Sequence, residues 1–226
     1  MVTLRRTVRL WVNLDASGHA LDAGPSYNAY AGRPSPVGLG RYFEVEIACR
    51  GEPDPRTGYL INIKEIDRAV REGALPLLLD ACADPAVGGP HALAMLFGAV
   101  SARLPVRCTS VTLRLNPYHS FEMGLETTPP VPAEVVLLRT AFDFAAAHRL
   151  HCPELSDEEN RRIFGKCNNP AGHGHNYRVE PCVAIDTALA HREPFATQNL
   201  EEVTDRILIQ PFDHKHLNVD TTAFSD

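Results

Sequence analysis

The first regular feature of the chain is alternation. In residues 7–14, Val8, Leu10, Val12 and Leu14 fall on one side of an extended segment, and in residues 42–48 Phe43, Val45 and Ile47 lie opposite Glu44 and Glu46. Both patterns predict half-buried strands, paired antiparallel. Residues 15–40 between them are rich in Gly, Pro, Ser and Asn and read as a long loop, and Gly51-Glu-Pro-Asp-Pro-Arg-Thr-Gly58 is a turn cluster. From Lys64 the period changes. Ile66, Ala69 and Val70 have helical spacing until Gly73 and Pro76 stop it, and residues 91–103 predict a second helix through Leu93, Leu96, Phe97 and Val100. Residues 109–115 and 120–125 predict two further strands around Asn116-Pro117. The order is strand, strand, helix, helix, strand, strand.

Three prolines in Glu126-Thr-Thr-Pro-Pro-Val-Pro-Ala133 read as a stiff linker. Beyond it the pattern restarts. A strand begins at residues 135–138 and runs toward Phe144, Ser156-Asp-Glu-Glu159 has the form of a capping box for a short helix ending at Gly165, and residues 176–185 are strand-like but interrupted by Pro181. Residues 200–209 predict an amphipathic helix on Leu200, Val203 and Ile207. Gly38-Leu-Gly-Arg-Tyr-Phe-Glu-Val-Glu46 lines up with Gly172-His-Gly-His-Asn-Tyr-Arg-Val-Glu180, and Asn62-Ile-Lys-Glu-Ile66 with Asn199-Leu-Glu-Glu-Val203. The expected organisation is a tandem repeat, a unit over residues 1–125, a linker over 126–134 and a second unit over 135–226. In this alignment Leu39 and Arg41 stand where the second unit has His173 and His175, and Arg33 stands where it has Cys167.

Composition narrows the function. With 44% hydrophobic residues the chain can build a core, yet no run approaches the ~20 apolar residues of a membrane span. The N-terminus lacks a secretory pattern, and Cys49, Cys82, Cys108, Cys152, Cys167 and Cys182 stand singly, which fits a reducing compartment. A soluble, cytoplasmic protein is expected. A net charge of −6 argues against a nucleic-acid surface. Histidine is uneven: His148, His151, His173, His175, His191, His214 and His216, seven of the ten, all lie after position 145.

Gly172-His173-Gly174-His175 puts two imidazoles on one face of a strand, a bidentate metal platform. A third neutral imidazole would leave an open position, as in catalytic zinc sites, and His148, among small alanines at the end of the preceding strand, is the natural candidate. Cys167 sits in a loop dense in turn formers beside Lys166 and is suited to proton transfer or nucleophilic attack. An idle thiol and a fourth ligand of a structural zinc site are the alternatives. Asp213-His214 has the composition of an orienting carboxylate and its base, although neighbours in a strand point apart and need not touch. His151, His191, His216, Cys152 and Cys182 are expected to be structural or surface residues.

Phe142-Asp-Phe-Ala-Ala-Ala-His-Arg-Leu150, Leu155-Ser-Asp-Glu-Glu-Asn160, Phe164-Gly-Lys-Cys-Asn-Asn-Pro-Ala-Gly-His-Gly-His-Asn-Tyr177 and Phe212-Asp-His-Lys-His-Leu217 together resemble the 6-pyruvoyl-tetrahydropterin synthase family. The resemblance implies an α+β tunnelling fold, a four-stranded antiparallel sheet with two helices on one face, whose units assemble through their sheet edges into homo-oligomers. It also implies zinc held by His148, His173 and His175, and a proton-transfer set of Cys167, Asp213 and His214. The implied reaction eliminates triphosphate from 7,8-dihydroneopterin triphosphate and converts the side-chain hydroxyls to ketones, with no nucleic-acid or membrane partner. Five residues separate Cys167 from His173, the spacing of the pyruvoyl enzymes; the carboxytetrahydropterin synthases of queuosine biosynthesis typically have three. Their activity, or non-catalytic pterin and zinc binding, is the alternative. The pterin-anchoring glutamate of the family is expected beyond Asp226, which would leave the second unit without its C-terminal part, and the matching place in the first unit reads Leu115-Asn116.

Overall fold

The computed structural model describes residues 1–24, 30–84, 86–188 and 197–224, so His191 lies outside the described residues. In chain order its elements are β1 (Val2–Val12), β2 (Arg41–Gly51), α1 (Ile63–Ala83), α2 (Gly89–Ser101), β3 (Arg107–Asn116), β4 (His119–Gly124), β5 (Val135–Thr140), β6 (Phe142–His148), α3 (Asp157–Phe164), β7 (His173–Val179), β8 (Cys182–Asp186) and α4 (Thr197–Thr204). This is an α+β chain with antiparallel ladders. Its contacts define two units, Met1–Arg139 with Cys182–Phe195, and Thr140–Pro181 with Ala196–Asp226.

The first unit carries a sheet in the order β1-β2-β3-β4-β5-β8. The alternation of β1 buries Val8, Leu10 and Val12, which meet β2 in antiparallel register with Leu10 opposite Phe43. Burying each such side chain contributes about 1.5–3 kcal/mol. Arg6 adds a two-pronged tie to Asp67 on α1, at 2.8 and 2.9 Å. The structure corrects the expected end of the first helix, because α1 runs through both Gly73 and Pro76. Its apolar stripe of Ile66, Val70, Ala74 and Leu78 stays buried across the proline, so packing outweighs the one hydrogen bond that proline forfeits. Gly73 serves a contact instead: a Cβ there would come within 3.2 Å of the Ala99 carbonyl on α2.

In the second unit β6 pairs antiparallel with β7, and α3 begins with the expected capping box, Ser156 and Glu159 each bonding the other's backbone. The ladders β5–β8 and β6–β7 keep the same pairing register, and Pro181, which has no N–H to donate, falls at the break between β7 and β8. The helix expected over 200–209 starts at Thr197 and loosens into a π-helical turn over Asp205–Ile209.

Candidate active site

Register does the first part of the assembly. His148 lies directly opposite His173, and Ala146 opposite His175, so all three imidazoles emerge on one face of the β6–β7 ladder. Their ring centroids are 4.6, 5.0 and 4.6 Å apart, and one donor nitrogen of each lies within 4.8 Å of the other two. Three nitrogens bound to one tetrahedral zinc sit about 2.1 Å from the ion and so roughly 3.4 Å from one another, which small side-chain rotations reach from this arrangement. His173 Nδ1 is buried without a hydrogen-bond partner among the described residues, an orphaned polar atom that ligation would account for. Burial, reinforced by His173, His175 and His216, pushes the His148 imidazole below its ordinary pKa and so favours the neutral form, the one that binds metal. Cys167 is not part of this donor cluster.

The Asp213-His214 pair is closer than adjacency in a strand allows. His214 takes a left-handed backbone, φ 55°, and this turns its ring so that Nδ1 lies 2.8 Å from Asp213 Oδ2. Sequence adjacency left this contact open, and the backbone turn at His214 makes it. A carboxylate can only accept, so Nδ1 carries the proton and Nε2 is left free on an exposed ring. The other carboxylate oxygen accepts from the Ala145 N–H at 3.0 Å, and this bond, followed by the one from His214, holds Asp213 below the usual carboxylate range. The segment docks as a short parallel strand: Ala147 N–H donates to the Lys215 carbonyl at 2.8 Å and Leu217 N–H to the Ala147 carbonyl at 2.7 Å. Between it and β7 lies an open cavity of about 490 Å³ lined by Ala145, Ala146, Ala147, Gly174, His175 and His214.

Cys167 sits on a 3₁₀ turn, Gly165–Asn168, whose position is set from β6. The Cys167 carbonyl accepts from Leu150 N–H at 2.9 Å, two residues beyond His148, and the buried Asn168 side chain donates to the Leu150 carbonyl at 2.8 Å. Asn160, fully buried in α3, accepts from Cys152 N–H and donates to the Cys152 carbonyl. These two asparagines carry no sequence signal of their own, since their role comes entirely from where their partners lie. His216 was expected to be a structural or surface residue, yet it lies close enough to His148 to act on it electrostatically. Its Nδ1 is buried without a hydrogen-bond partner among the described residues, and a Cβ on Gly172 would come within 2.6 Å of its Nε2. The repeated His-x-His spacing at 214 and 216 is the signal that marks it.

The sequence profile described as 6-pyruvoyl tetrahydropterin synthase matches residues 137–226, the stretch that carries this whole arrangement. The 6-pyruvoyl tetrahydrobiopterin synthase of Poecilia reticulata is 39% identical over 102 residues, which cover 45% of this chain and 69% of the relative. The chain belongs to the 6-pyruvoyl tetrahydropterin synthase family. The human 6-pyruvoyl tetrahydrobiopterin synthase is 45% identical over 85 residues, 38% of this chain and 59% of that protein. A solved Caenorhabditis elegans 6-pyruvoyl tetrahydropterin synthase is 36% identical over 40% of this chain and 64% of its own, with a TM-score of 0.36. Within the family match lie His148, Cys167, His173, His175, Asp213 and His214. No helix among the described residues is long and apolar enough to cross a membrane.

Proposed function

We propose that this chain is a zinc-dependent 6-pyruvoyl-tetrahydropterin synthase that eliminates triphosphate from 7,8-dihydroneopterin triphosphate in tetrahydrobiopterin-type biosynthesis. The observation that carries the reading is the convergence of His148 on β6 with His173 and His175 on β7, beside a hydrogen-bonded Asp213–His214 pair that is itself bonded to β6 at Ala145. Zinc on the three imidazoles would supply Lewis acidity toward the side-chain oxygens of the pterin. Asp213 fixes the His214 ring, so that Nε2 accepts or returns a proton at the cavity. Cys167, held against the end of β6 by Leu150, acts as the second proton carrier. In the elimination a C–H bond and the C–O bond to triphosphate break, the proton passes to one of these bases and triphosphate leaves with the electron pair.

The same reading includes the tunnelling fold, tandem organisation with boundaries near residues 125 and 135, self-assembly and a cytoplasmic setting. The antiparallel β1-β2-β3-β4 order with α1 and α2 between its strand pairs supports the fold, and the terminal place of β1 in the strand order of the described residues supports assembly through sheet edges. Six cysteines, none of them in a disulfide, support a reducing compartment.

The test is direct. Purified protein should carry stoichiometric zinc and release inorganic triphosphate from the pterin substrate, and a Cys167→Ala variant should keep the metal and lose the release. Metal-free active protein, or Cys167→Ala protein as fast as wild type, would sink the reading.

A further inference from the structure

A second cavity adjoins the histidine cluster on the side of the cysteine turn. It holds about 670 Å³ and is lined by Arg149, Asp157, Arg161, Lys166, Asn169 and His173, among others. Three cations and one carboxylate face it, on a chain whose net charge is −6. None of the three cations is paired with a carboxylate among the described residues. Arg149 is pre-oriented, because its Nε donates to the Asn168 carbonyl at 3.1 Å, which leaves the rest of the guanidinium fork unused. Arg161 projects from α3 and Lys166 from the 3₁₀ turn, so two rigid elements aim positive charge at one space. His173 is a wall of this cavity and also a member of the metal-binding cluster.

We infer that this cleft is a polyphosphate subsite, in which Arg149, Arg161 and Lys166 hold the triphosphate chain of the substrate while its carbon skeleton reaches the histidines. The inference rests on the proposed function for the identity of the ligand, but the charge pattern alone specifies its chemistry, a linear polyanion. Guanidinium forks match phosphate oxygens two at a time, and a lysine adds a point charge. Unpaired cations lose no existing partner on binding. Because Arg161 and Lys166 are exposed, their attraction is screened by salt, so the subsite should weaken as ionic strength rises.

Inorganic tripolyphosphate is the probe, measured by calorimetry on the zinc-loaded full chain. Wild type should bind it, and the Arg161→Ala, Lys166→Ala double variant should bind about tenfold or more weakly with zinc content and circular dichroism unchanged. In turnover the same variant should raise KM by a similar factor with kcat little changed, the signature of uniform binding. Phosphate-free 7,8-dihydroneopterin should bind both proteins equally. Arg162→Ala, one residue away and not lining the cavity, is the charge-matched control. Failure of wild type to bind tripolyphosphate, equal binding by the double variant, or an equal loss in Arg162→Ala overturns the subsite. Loss confined to the double variant in a protein that never releases triphosphate from the pterin upholds the subsite and overturns the proposed activity.

Discussion

Two antiparallel ladders of this chain, β1–β2 and β6–β7, have the same pairing and opposite contents. When Gly38–Glu46 is set beside Gly172–Glu180, Phe43 falls on Tyr177, and their partners across the ladder, Leu10 and Phe144, are separated by the same number of positions. Each second strand is entered through a glycine of positive φ, 59° at Gly38 and 71° at Gly172. From there the two diverge. The alanines Ala145, Ala146 and Ala147, which open a cavity, stand where the first ladder has Trp11, Val12 and Asn13. Asn13 fills that space: it is buried, accepts from Val37 N–H at 2.9 Å, and its Oδ1 would lie 2.4 Å from a Cβ on Gly40, whereas a Cβ on Gly174 would meet nothing within 4 Å. Where the second ladder carries His173 and His175, the first carries a fully exposed Leu39 and an arginine. A strand pair thus becomes a site through small residues as much as through histidines, because ligands need room as well as convergence.

The largest expected effect separates the ladders outright. His175→Ala should reduce bound zinc from one equivalent to near none by elemental analysis, and Arg41→Ala should leave it at one; metal lost in both would abolish the contrast. Next comes chemistry without metal loss: Cys167→Ala should slow triphosphate release by about 10²–10⁴ while zinc is retained. Restoring the first ladder's filling is subtler. Ala147→Asn should keep zinc but lower kcat/KM by about tenfold, because the cavity wall moves inward. The two entry glycines offer a stability test by denaturant unfolding. Gly38→Ala should cost about 1–2 kcal/mol for its backbone conformation alone, and Gly172→Ala about 1–3 kcal/mol more, since its Cβ would also come within 2.6 Å of His216 Nε2 and 3.0 Å of the His148 carbonyl. Equal losses would show that the turn matters and the packing does not.

The smallest effect concerns Asp213. Its folded pKa lies below the ordinary carboxylate value, so its contribution to stability is fully present above the unfolded-state value and is lost as pH falls through the lower folded one. Carboxyl resonances of Asp213 followed by NMR should titrate below those of an exposed aspartate, and Asp213→Asn should remove this acid dependence. A midpoint in the ordinary range would mean that the contacts with Ala145 and His214 do not persist in solution.

Strand and helix identities in both units were legible because burial on one face writes itself into sequence as a period of two or of 3.6 residues. The capping box at Ser156 and the break at Pro181 were legible for the same local reason. The end of α1 was not: Gly73 and Pro76 signal a stop, and only packing against α2 overrules them. The clustering of His148, His173 and His175 could be read from spacing and from one antiparallel pairing, since two residues apart on a strand means the same face. Local pattern could not place Asp213 against both Ala145 and the His214 ring, bring His216 to Gly172, or gather Arg149, Arg161 and Lys166 around one space. Each of those depends on where distant backbone hydrogen bonds lay a segment down, and sequence spacing carries no record of that.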